Sequence, residues 1–281
     1  MFTLNCNGRI IALEKPVVMG IINITPDSFY EGSRFRVLEE VISQAQKMVN
    51  EGAAFLDIGG QSTRPGSPRV DLTEELRRVV PVVAELSERF PNVVISIDTY
   101  QSAVALEAVA AGAGMVNDIS GGSLDPEMIE TVARLHVPYV CMHIKGTPET
   151  MHLNPSYDHV TKEVLDYFIQ KCEACRNAGI HDVILDPGFG FGKNAMHNFQ
   201  LLNDLSVFRM LGKPLLAGLS RKSTVYKTLG TTAEAALNGT TVMNTLCLLN
   251  GADILRVHDV KEAVEAVKLV SAYREAAPSG T

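Results

Sequence analysis

The sequence predicts an α/β protein, a single-domain (β/α)8 barrel of the TIM-barrel architecture. Eight short apolar segments alternate with segments of helical periodicity, a pattern typical of a parallel sheet covered by helices. No linker or change of composition divides the 281 residues, and such a barrel needs about 250 residues. Several apolar segments end in polar residues or glycine, and active sites of these barrels lie at the carboxyl ends of their strands. An open, doubly wound sheet is the alternative architecture.

The barrel follows a short amino-terminal strand or hairpin over residues 1–14, which turns at Asn7–Gly8. Pro16 separates this segment from the barrel core, which we place at about 16–274 of a single domain spanning 1–281. The strands are predicted at 17–22, 55–58, 93–97, 115–118, 139–143, 182–185, 214–218 and 252–256. The helices are predicted at 38–49, 76–86, 101–111, 126–136, 157–178, 196–209, 221–229, 233–250 and 259–274.

The sixth strand runs into the stretch 186–193, which reads DPGFGFGK. Its proline forbids continuation of the strand, and its glycines leave bare backbone between two phenylalanines. We therefore expect Asp186 to point a carboxylate into a pocket that has aromatic walls. The stretch is neither a dinucleotide-binding fingerprint nor a Walker motif, because its glycine spacing differs and Asn194 follows the lysine.

Composition and charge exclude several classes of protein. The net charge is −7 and no lysine- or arginine-rich run occurs, so nucleic acid is not expected as a main partner. Five scattered cysteines without a signal peptide predict reduced thiols and a cytoplasmic protein. No segment approaches the roughly 18 apolar residues that a membrane helix needs, so no membrane association is expected. Cys172 and Cys175 share one predicted helix and have no second pair, which argues against a zinc site.

Polar residues at the strand ends form a first set that suits a flat heterocycle. This set consists of Asp98, Asn117, Asp186 and Lys222. A carboxylate can accept two parallel N–H bonds from a 2-aminopyrimidinone edge. Lys222 would donate to a ring nitrogen or carbonyl group and offset the carboxylate charge. Phe191 and Met142 are candidates for apolar walls, and packing in the core is the alternative explanation for both.

A second set of strand-end residues suits an anion such as phosphate or pyrophosphate. It consists of Asn23, Thr63, Arg64, Arg256 and His258. Cations and hydroxyl groups bind phosphate oxygens well, and barrels often bind phosphate near their seventh and eighth strands. Arg256 leaves the eighth strand, and His258 precedes the last helix, whose amino end favours anions. A salt-bridged, helix-capping turn over residues 256–259 is the structural alternative.

Seven motifs, in order along the chain, resemble those of the dihydropteroate synthase family. They are NITPDSF at 23–29, GQSTRPG at 60–66, SIDT at 96–99, NDI at 117–119, LDPGFGFGK at 185–193, SRKS at 220–223 and RVHD at 256–259. The ordered set is far more specific than any single motif. The family joins 6-hydroxymethyl-7,8-dihydropterin pyrophosphate to para-aminobenzoate and releases pyrophosphate, a step of folate biosynthesis.

The resemblance implies a role for individual residues. The pterin would be held by Asp98, Asn117, Ile119, Met142, Asp186, Phe191, Gly218 and Lys222. Pyrophosphate and aminobenzoate would be held by Phe29, Thr63, Arg64, Pro65, Ser220, Arg256 and His258. Asn23 would bind the Mg2+ that accompanies pyrophosphate. The catalytic residues would be Asp186, Lys222, Arg256 and His258. The resemblance also implies a homodimer and inhibition by sulfonamides, which mimic para-aminobenzoate.

The chain departs from the family pattern in two loops that would close over the substrates. Residues 30–33 read YEGS where the family pattern is SDGG, and Gln61 stands where glutamate is common. These departures bear on loop dynamics and inhibitor sensitivity, not on the pterin pocket.

We expect displacement at the pterin methylene carbon, with pyrophosphate leaving ahead of attack by the amine. The aniline nitrogen is already neutral at pH 7, so placement matters more than a general base. Two alternative functions share the pterin-binding residues. A methyltetrahydrofolate-type corrinoid methyltransferase would not need the anion set. A non-catalytic pterin-binding paralogue would be favoured by replacement of Lys222 or Arg256, and both residues are present.

Overall fold

The structure, a computed structural model, describes residues 1–24, 34–61 and 70–276. The strands are β1 Phe2–Cys6, β2 Arg9–Leu13, β3 Val17–Asn23, β4 Phe55–Gly59, β5 Val94–Asp98, β6 Met115–Asp118, β7 Tyr139–Met142, β8 Val183–Asp186, β9 Leu216–Ala217 and β10 Ile254–Val257. The helices are α1 Arg34–Asn50, α2 Leu72–Arg89, α3 Ser102–Ala110, α4 Met128–Leu135, α5 Val160–Ala178, α6 Ala195–Asn203, α7 Ser223–Thr228, α8 Leu237–Leu249 and α9 Val260–Glu275.

Eight parallel strands, β3 to β10, form a barrel with helices between successive strands. Each strand pairs with its neighbour along the chain, and β10 pairs with β3. The ring closes where Leu185 of β8 forms a parallel bridge with Leu215, just before β9. The predicted (β/α)8 barrel and the predicted amino-terminal hairpin are both confirmed, and the open doubly wound sheet is wrong.

Side chains alternate between two apolar layers along each barrel strand. Outward residues such as Val18 and Leu56 pack against the helices in the main core. Inward residues such as Met19 and Phe55 meet their counterparts from the other strands in a separate cluster inside the barrel. This period of two fixes which residues of each strand can reach the interior.

The amino-terminal hairpin closes the bottom of the barrel. Leu4, Cys6 and Leu13 join the inner apolar cluster, so β1 and β2 cover the end opposite the carboxyl ends of the strands. Asn5 N–H donates to Asp182 Oδ2 at 2.6 Å, which ties the hairpin to the start of β8. Arg9 donates to two backbone carbonyls of the loop before β5, at 2.9 and 2.6 Å. The opposite end is therefore the one left for a ligand.

The predicted helix over 196–209 is wrong in its second half. The α-helix α6 ends at Asn203, and a 3-10 helix follows at Leu205–Leu211. Asp204, between the two, accepts a hydrogen bond from Thr161 Oγ1 of α5 at 2.7 Å, which holds the chain where the helix changes type. Asp204 N–H still bonds to Gln200 O, so the axis breaks only after that residue.

All five cysteines are free. Across residues 1–24, 34–61 and 70–276, none of the helices is both long enough and apolar enough to cross a membrane.

Candidate active site

A polar layer lies inside the barrel, directly above the inner apolar layer. Because side chains alternate, the residues two positions beyond the apolar layer also face the interior. They are Ile21, Asp57, Ser96, Asn117, Met142, Asp186, Gly218 and Arg256. One further step along β3 and β5 reaches Asn23 and Asp98 at the carboxyl ends of these strands. Residues that are far apart in the sequence thus converge at one end of the barrel.

Arg256 joins two carboxylates of this layer. Its Nε donates to Asp57 Oδ2 and its Nη2 donates to Asp98 Oδ2, both at 2.6 Å. Asn117 Nδ2 donates to the same Asp57 oxygen at 2.8 Å. The Arg256 side chain is 18% exposed, so the network forms the floor of a pocket that still opens to solvent. Arg256, assigned from the sequence to pyrophosphate, already serves as counter-ion to two carboxylates.

Asp57 is a site residue that the sequence analysis missed. It lies inside β4, not at its end, and it is fully buried. The available signal was an acid within the otherwise apolar segment 55–58. Within the part of the chain that the structure describes, Asp57 Oδ1 has no hydrogen-bond partner. This oxygen has almost no accessible surface, so it adds to the acceptor character of the floor. The carboxylates that a ligand can reach are those of Asp98 and Asp186, which are 8% and 6% exposed.

Burial shifts the pKa values of the ionisable groups in the layer. It raises the pKa of Asp98 to about 7, although Arg256 opposes the shift and Asp57 adds to it. Burial also raises the pKa of Asp186, and the ammonium group of Lys222 opposes that shift. Burial lowers the pKa of Lys222 to about 8, with Asp186 opposing. Burial lowers the pKa of Arg256, but the charges of Asp57 and Asp98 outweigh burial and raise this pKa, so the guanidinium stays charged.

Asp186 and Lys222 meet at the glycine-rich loop that follows β8. Gly188 N–H donates to Asp186 Oδ1 at 2.8 Å and thereby orients the carboxylate. Lys222 Nζ donates to Phe189 O at 2.5 Å and lies 4.6 Å from the centroid of the Phe191 ring. The loop backbone therefore positions both charged groups, and its second aromatic ring lies beside the lysine.

An apolar cluster borders the polar layer at the mouth of the barrel. Its buried members are Tyr100, Ile119, Met142, Ile144, Met151 and Phe191. The structure thus brings together the three apolar residues assigned to the pterin. Gly218 is bare backbone in the same region, since a Cβ there would lie 3.8 Å from Arg256 Cβ and 3.9 Å from Lys222 Nζ. A flat ring can approach the main chain closely at this point.

The rim of the site is built from the loops after β9 and β10. Ser220 Oγ lies 3.0 Å from His258 Nδ1 and accepts His258 N–H at 3.1 Å. Arg221 forms a bidentate ion pair with Asp259, both bonds at 2.8 Å. The salt-bridged turn considered as an alternative therefore exists, but it is made by Arg221 and Asp259. It leaves the exposed His258 side chain beside Ser220 at the pocket rim.

Asn23 is exposed at the carboxyl end of β3, beside Asp98. A Cβ on Gly59 would lie 3.4 Å from Asn23 Oδ1 and 3.6 Å from Asp98 Oδ2. Among the described residues, no three His, Cys, Asp or Glu side chains gather into a metal site. Mg2+ usually keeps several waters and binds through one or two protein ligands plus substrate phosphates. An exposed amide oxygen fits such a site, whereas a metal held by protein ligands alone does not.

Phe29, Thr63, Arg64, Pro65 and the departures at 30–33 lie outside the described residues. Gln61 is described, and its Oε1 accepts a hydrogen bond from Tyr100 OH at 3.1 Å. A glutamate would offer the same acceptor, so this contact does not depend on the substitution.

Comparison with known proteins identifies the family to which the chain is similar. The family described as "Pterin binding enzyme" matches residues 19–258. The chain is 44% identical to dihydropteroate synthase of Escherichia coli K12 over 94% of each chain. It superposes on Yersinia pestis dihydropteroate synthase, solved with a sulfonamide drug, with a TM-score of 0.92 at 43% identity, covering 98% of this chain and 100% of the other. The superposition on the Xanthomonas albilineans enzyme, solved with 4-aminobenzoic acid, has a TM-score of 0.90 at 42% identity and covers 98% of this chain and 99% of the other.

The chain therefore belongs to the family of pterin binding enzymes. The polar layer offers hydrogen-bonding groups and the apolar cluster offers walls, a combination that suits a small-molecule site. Within that family the chain belongs to the dihydropteroate synthases, which confirms the resemblance seen in the ordered motifs. The relatives do not favour the methyltransferase or the non-catalytic paralogue.

Proposed function

We propose that the polar layer binds the pterin ring of 6-hydroxymethyl-7,8-dihydropterin pyrophosphate while the chain transfers its methylene carbon to para-aminobenzoate. The products are 7,8-dihydropteroate and pyrophosphate. The observation that carries this proposal is the set of acceptors at the barrel floor, above all the Asp98 and Asp186 carboxylates, which keep 8% and 6% exposure. Such acceptors match the N–H groups of a 2-aminopyrimidinone edge.

The ring would lie between the floor and the apolar cluster. Asp186 accepts from one edge and Asn117 contacts the other, while Lys222 donates to a ring nitrogen or carbonyl oxygen. Phe191 and Met142 cover the faces of the ring. The tight hydrogen bond from Gly188 to Asp186 supports this assignment, because it fixes the carboxylate before the substrate arrives.

Pyrophosphate would lie outward of the ring, towards Arg256 and His258. If Ser220 donates its hydroxyl proton to His258 Nδ1, the neutral imidazole carries its proton on Nε2 and can donate to a phosphate oxygen. Arg256 uses Nε and Nη2 for the two carboxylates, and no described residue accepts a hydrogen bond from Nη1. That nitrogen remains for a substrate oxygen. Together these donors stabilise the charge that develops on the leaving group.

Asn23 would hold Mg2+ together with pyrophosphate oxygens. The ion supplies further charge neutralisation for the leaving group. Chelation with EDTA should abolish product formation and added Mg2+ should restore it. Binding of the pterin alone should survive chelation, because the barrel floor is formed by Asp57, Asn117 and Asp186. Loss of pterin binding on chelation would contradict this placement of the ion.

Pyrophosphate would leave before the amine attacks, because the electron-rich pterin stabilises positive charge on the methylene carbon. The Asp186 carboxylate would favour that cation electrostatically. Positional isotope exchange in the pterin substrate, without aminobenzoate, tests this order. Exchange is expected, and its absence where bound pyrophosphate is free to rotate would argue against a discrete cation.

Aminobenzoate would bind beside Ser220 at the rim. A related enzyme was solved with 4-aminobenzoic acid and another with a sulfonamide. We therefore expect sulfonamides to compete with aminobenzoate for this chain. Inhibition that rising aminobenzoate concentration fails to relieve would contradict a shared site.

We also propose a cytoplasmic homodimer. Val242, Leu246 and Leu249 of α8 are exposed by 52%, 39% and 46%, and their spacing places them on one face of the helix. An isologous contact would bury this face. Light scattering should give a dimer for the native chain and a monomer for Leu246→Glu. A monomeric native chain would overturn the proposal.

One assay tests the whole assignment. The purified chain is incubated with pterin pyrophosphate, para-aminobenzoate and Mg2+, and the formation of dihydropteroate and pyrophosphate is measured. The two products should appear in equal amounts. Asp186→Asn should lose pterin binding and turnover, whereas Asp182→Asn, at the opposite end of β8, should keep both. Absence of product with retained pterin binding would favour the non-catalytic paralogue.

A further inference from the structure

The lysine that ends the glycine-rich stretch has no role in the function proposed above. Lys193 is only 7% exposed, and its side chain turns inward beneath its own loop. Its Nζ lies within 3.3 Å of four acceptors. They are His143 Nδ1 at 2.8 Å, Gly188 O at 3.0 Å, Phe191 O at 3.0 Å and His143 O at 3.3 Å.

These contacts are those of a buried ammonium group that is held by neutral acceptors. Burial lowers the pKa of Lys193, with Asp186 opposing the shift. Three surrounding carbonyl oxygens favour the protonated amine, since each must accept a hydrogen bond. Burial and the charge of Lys193 likewise lower the pKa of His143 to about 2, so its ring is neutral and Nδ1 accepts. None of the described carboxylates lies within ion-pair distance of this lysine.

The loop that Lys193 holds carries three parts of the pterin site. Gly188 N–H orients Asp186, Phe189 O receives the hydrogen bond of Lys222, and Phe191 provides the aromatic ring. Lys193 binds the carbonyl oxygens of the first and third of these loop residues. Its bonds to His143 tie the loop to the end of β7. The shape of the loop therefore depends on one side chain that does not itself face the pocket.

We propose that Lys193 is a positioning residue for pterin binding, which acts by clamping the 188–191 loop to His143. The inference rests on the proposed function, because it assigns Lys193 to the same pterin site. It predicts that the kinetic constants for the two substrates respond differently when Lys193 is replaced. Loss of the clamp misplaces Asp186 and Phe191, which contact the pterin, and leaves the aminobenzoate contacts at Ser220 untouched.

The test compares Lys193→Met with Lys145→Met. Lys145 is a partly exposed lysine that pairs with Glu163 on the outside of the same region, so the control removes an equal charge. For Lys193→Met we expect KM for pterin pyrophosphate to rise roughly 10- to 100-fold, the scale of a small misplacement of reacting groups. KM for aminobenzoate should stay within about twofold, and Lys145→Met should change neither constant.

His143→Phe provides a second variant in case Lys193→Met does not fold. Phenylalanine keeps a ring against Tyr167, which meets the His143 ring edge-on at 4.9 Å, but removes the Nδ1 acceptor. The KM for pterin should rise in the same direction by a smaller factor. An unchanged pterin KM in folded Lys193→Met, or in His143→Phe, overturns the inference. So does a loss of activity that merely tracks the folded fraction with both KM values unchanged.

Calorimetry separates this inference from the proposed function. The dissociation constant of pterin pyrophosphate is measured without aminobenzoate for the native chain and each variant. Failure of the native chain to form dihydropteroate would overturn the proposed function alone. Equal dissociation constants for the native chain and Lys193→Met would overturn the positioning role, whatever the turnover.

Discussion

Replacement of Arg256 by methionine should destabilise the protein through the carboxylates it leaves behind. Methionine keeps an unbranched apolar stem but removes the guanidinium that bonds Asp57 and Asp98 at 2.6 Å each. Asp57 is fully buried and Asp98 is 8% exposed, so water can replace the lost donors only in part. Removing one partner of a buried ion pair costs about 3–5 kcal/mol. The hydrogen bond from Asn117 to Asp57 offsets only part of this loss.

The loss of unfolding free energy in Arg256→Met should grow as the pH rises. Burial already raises the pKa of Asp98 to about 7, and Arg256 opposes that shift, so its removal raises the pKa further. A carboxyl whose folded pKa exceeds its unfolded pKa stabilises the fold at low pH, and this contribution disappears as pH rises through the folded pKa. In the native chain the decline ends near pH 7. In the variant this decline in stability continues above that pH. The difference in unfolding free energy between the native chain and the variant therefore widens by up to about 1.4 kcal/mol per pH unit.

Urea unfolding at pH 6 and pH 8 measures both effects. Arg89→Met is the control, because Arg89 pairs with Glu85 on an exposed helix face and should lose less than about 1 kcal/mol. The double variant Arg256→Met/Asp57→Asn removes one of the two orphaned charges and should recover about half of the loss. A single-variant loss below about 1 kcal/mol, or a double variant no more stable than the single one, would refute the counter-ion role of Arg256.

Two further predictions concern the pterin pocket. Burial lowers the pKa of Lys222 to about 8, with Asp186 opposing the shift. The value of kcat/KM for the pterin should therefore fall above that pH as the ammonium group deprotonates. Lys222→Arg should move this alkaline decline in kcat/KM to higher pH, and an unmoved decline would exclude Lys222 as its source. Gly188→Ala should raise the pterin KM at least tenfold, because the added Cβ would lie 2.0 Å from His143 O at a φ of +68°. Gly212→Ala is the control, because Gly212 has a similar φ of +64° but open space around it. This control should lose only about 1 kcal/mol of stability and leave the pterin KM unchanged.

The barrel was predictable because its strands are buried on both faces. A strand such as Val17–Asn23 shows a near-continuous apolar run that ends in a polar residue, and this pattern recurs around the ring. Convergence of Asp98, Asn117 and Asp186 then follows from topology, since parallel strands present their carboxyl ends at one edge. The helix boundaries were less predictable. The break at Asp204 depends on a contact with Thr161 that local periodicity does not encode.

The partners within the site could not be predicted, because they join strands that are distant in the sequence. Arg256 of β10 pairs with Asp57 of β4 over the intervening strand β3. The sequence gives the charge of Arg256, which suggested an anion, but not the carboxylates that already compensate it. Lys193 presents the same difficulty. A lysine after glycines suggests phosphate, whereas the fold directs this one to backbone carbonyl oxygens beneath the loop.

The distribution of charge along the barrel axis explains how the substrate would be oriented. Inside the pocket three carboxylates, Asp57, Asp98 and Asp186, face the two cations Lys222 and Arg256. At the rim, among the described residues, Ser220 and His258 pair with each other, and the imidazole of His258 can donate a hydrogen bond outward. A heterocycle rich in N–H donors is favoured against the three carboxylates. A pyrophosphate is repelled by them and is favoured where His258 and the remaining Arg256 nitrogen, Nη1, can donate to it. The pterin substrate can therefore enter productively in one direction, with its reactive methylene carbon at the boundary between the two regions.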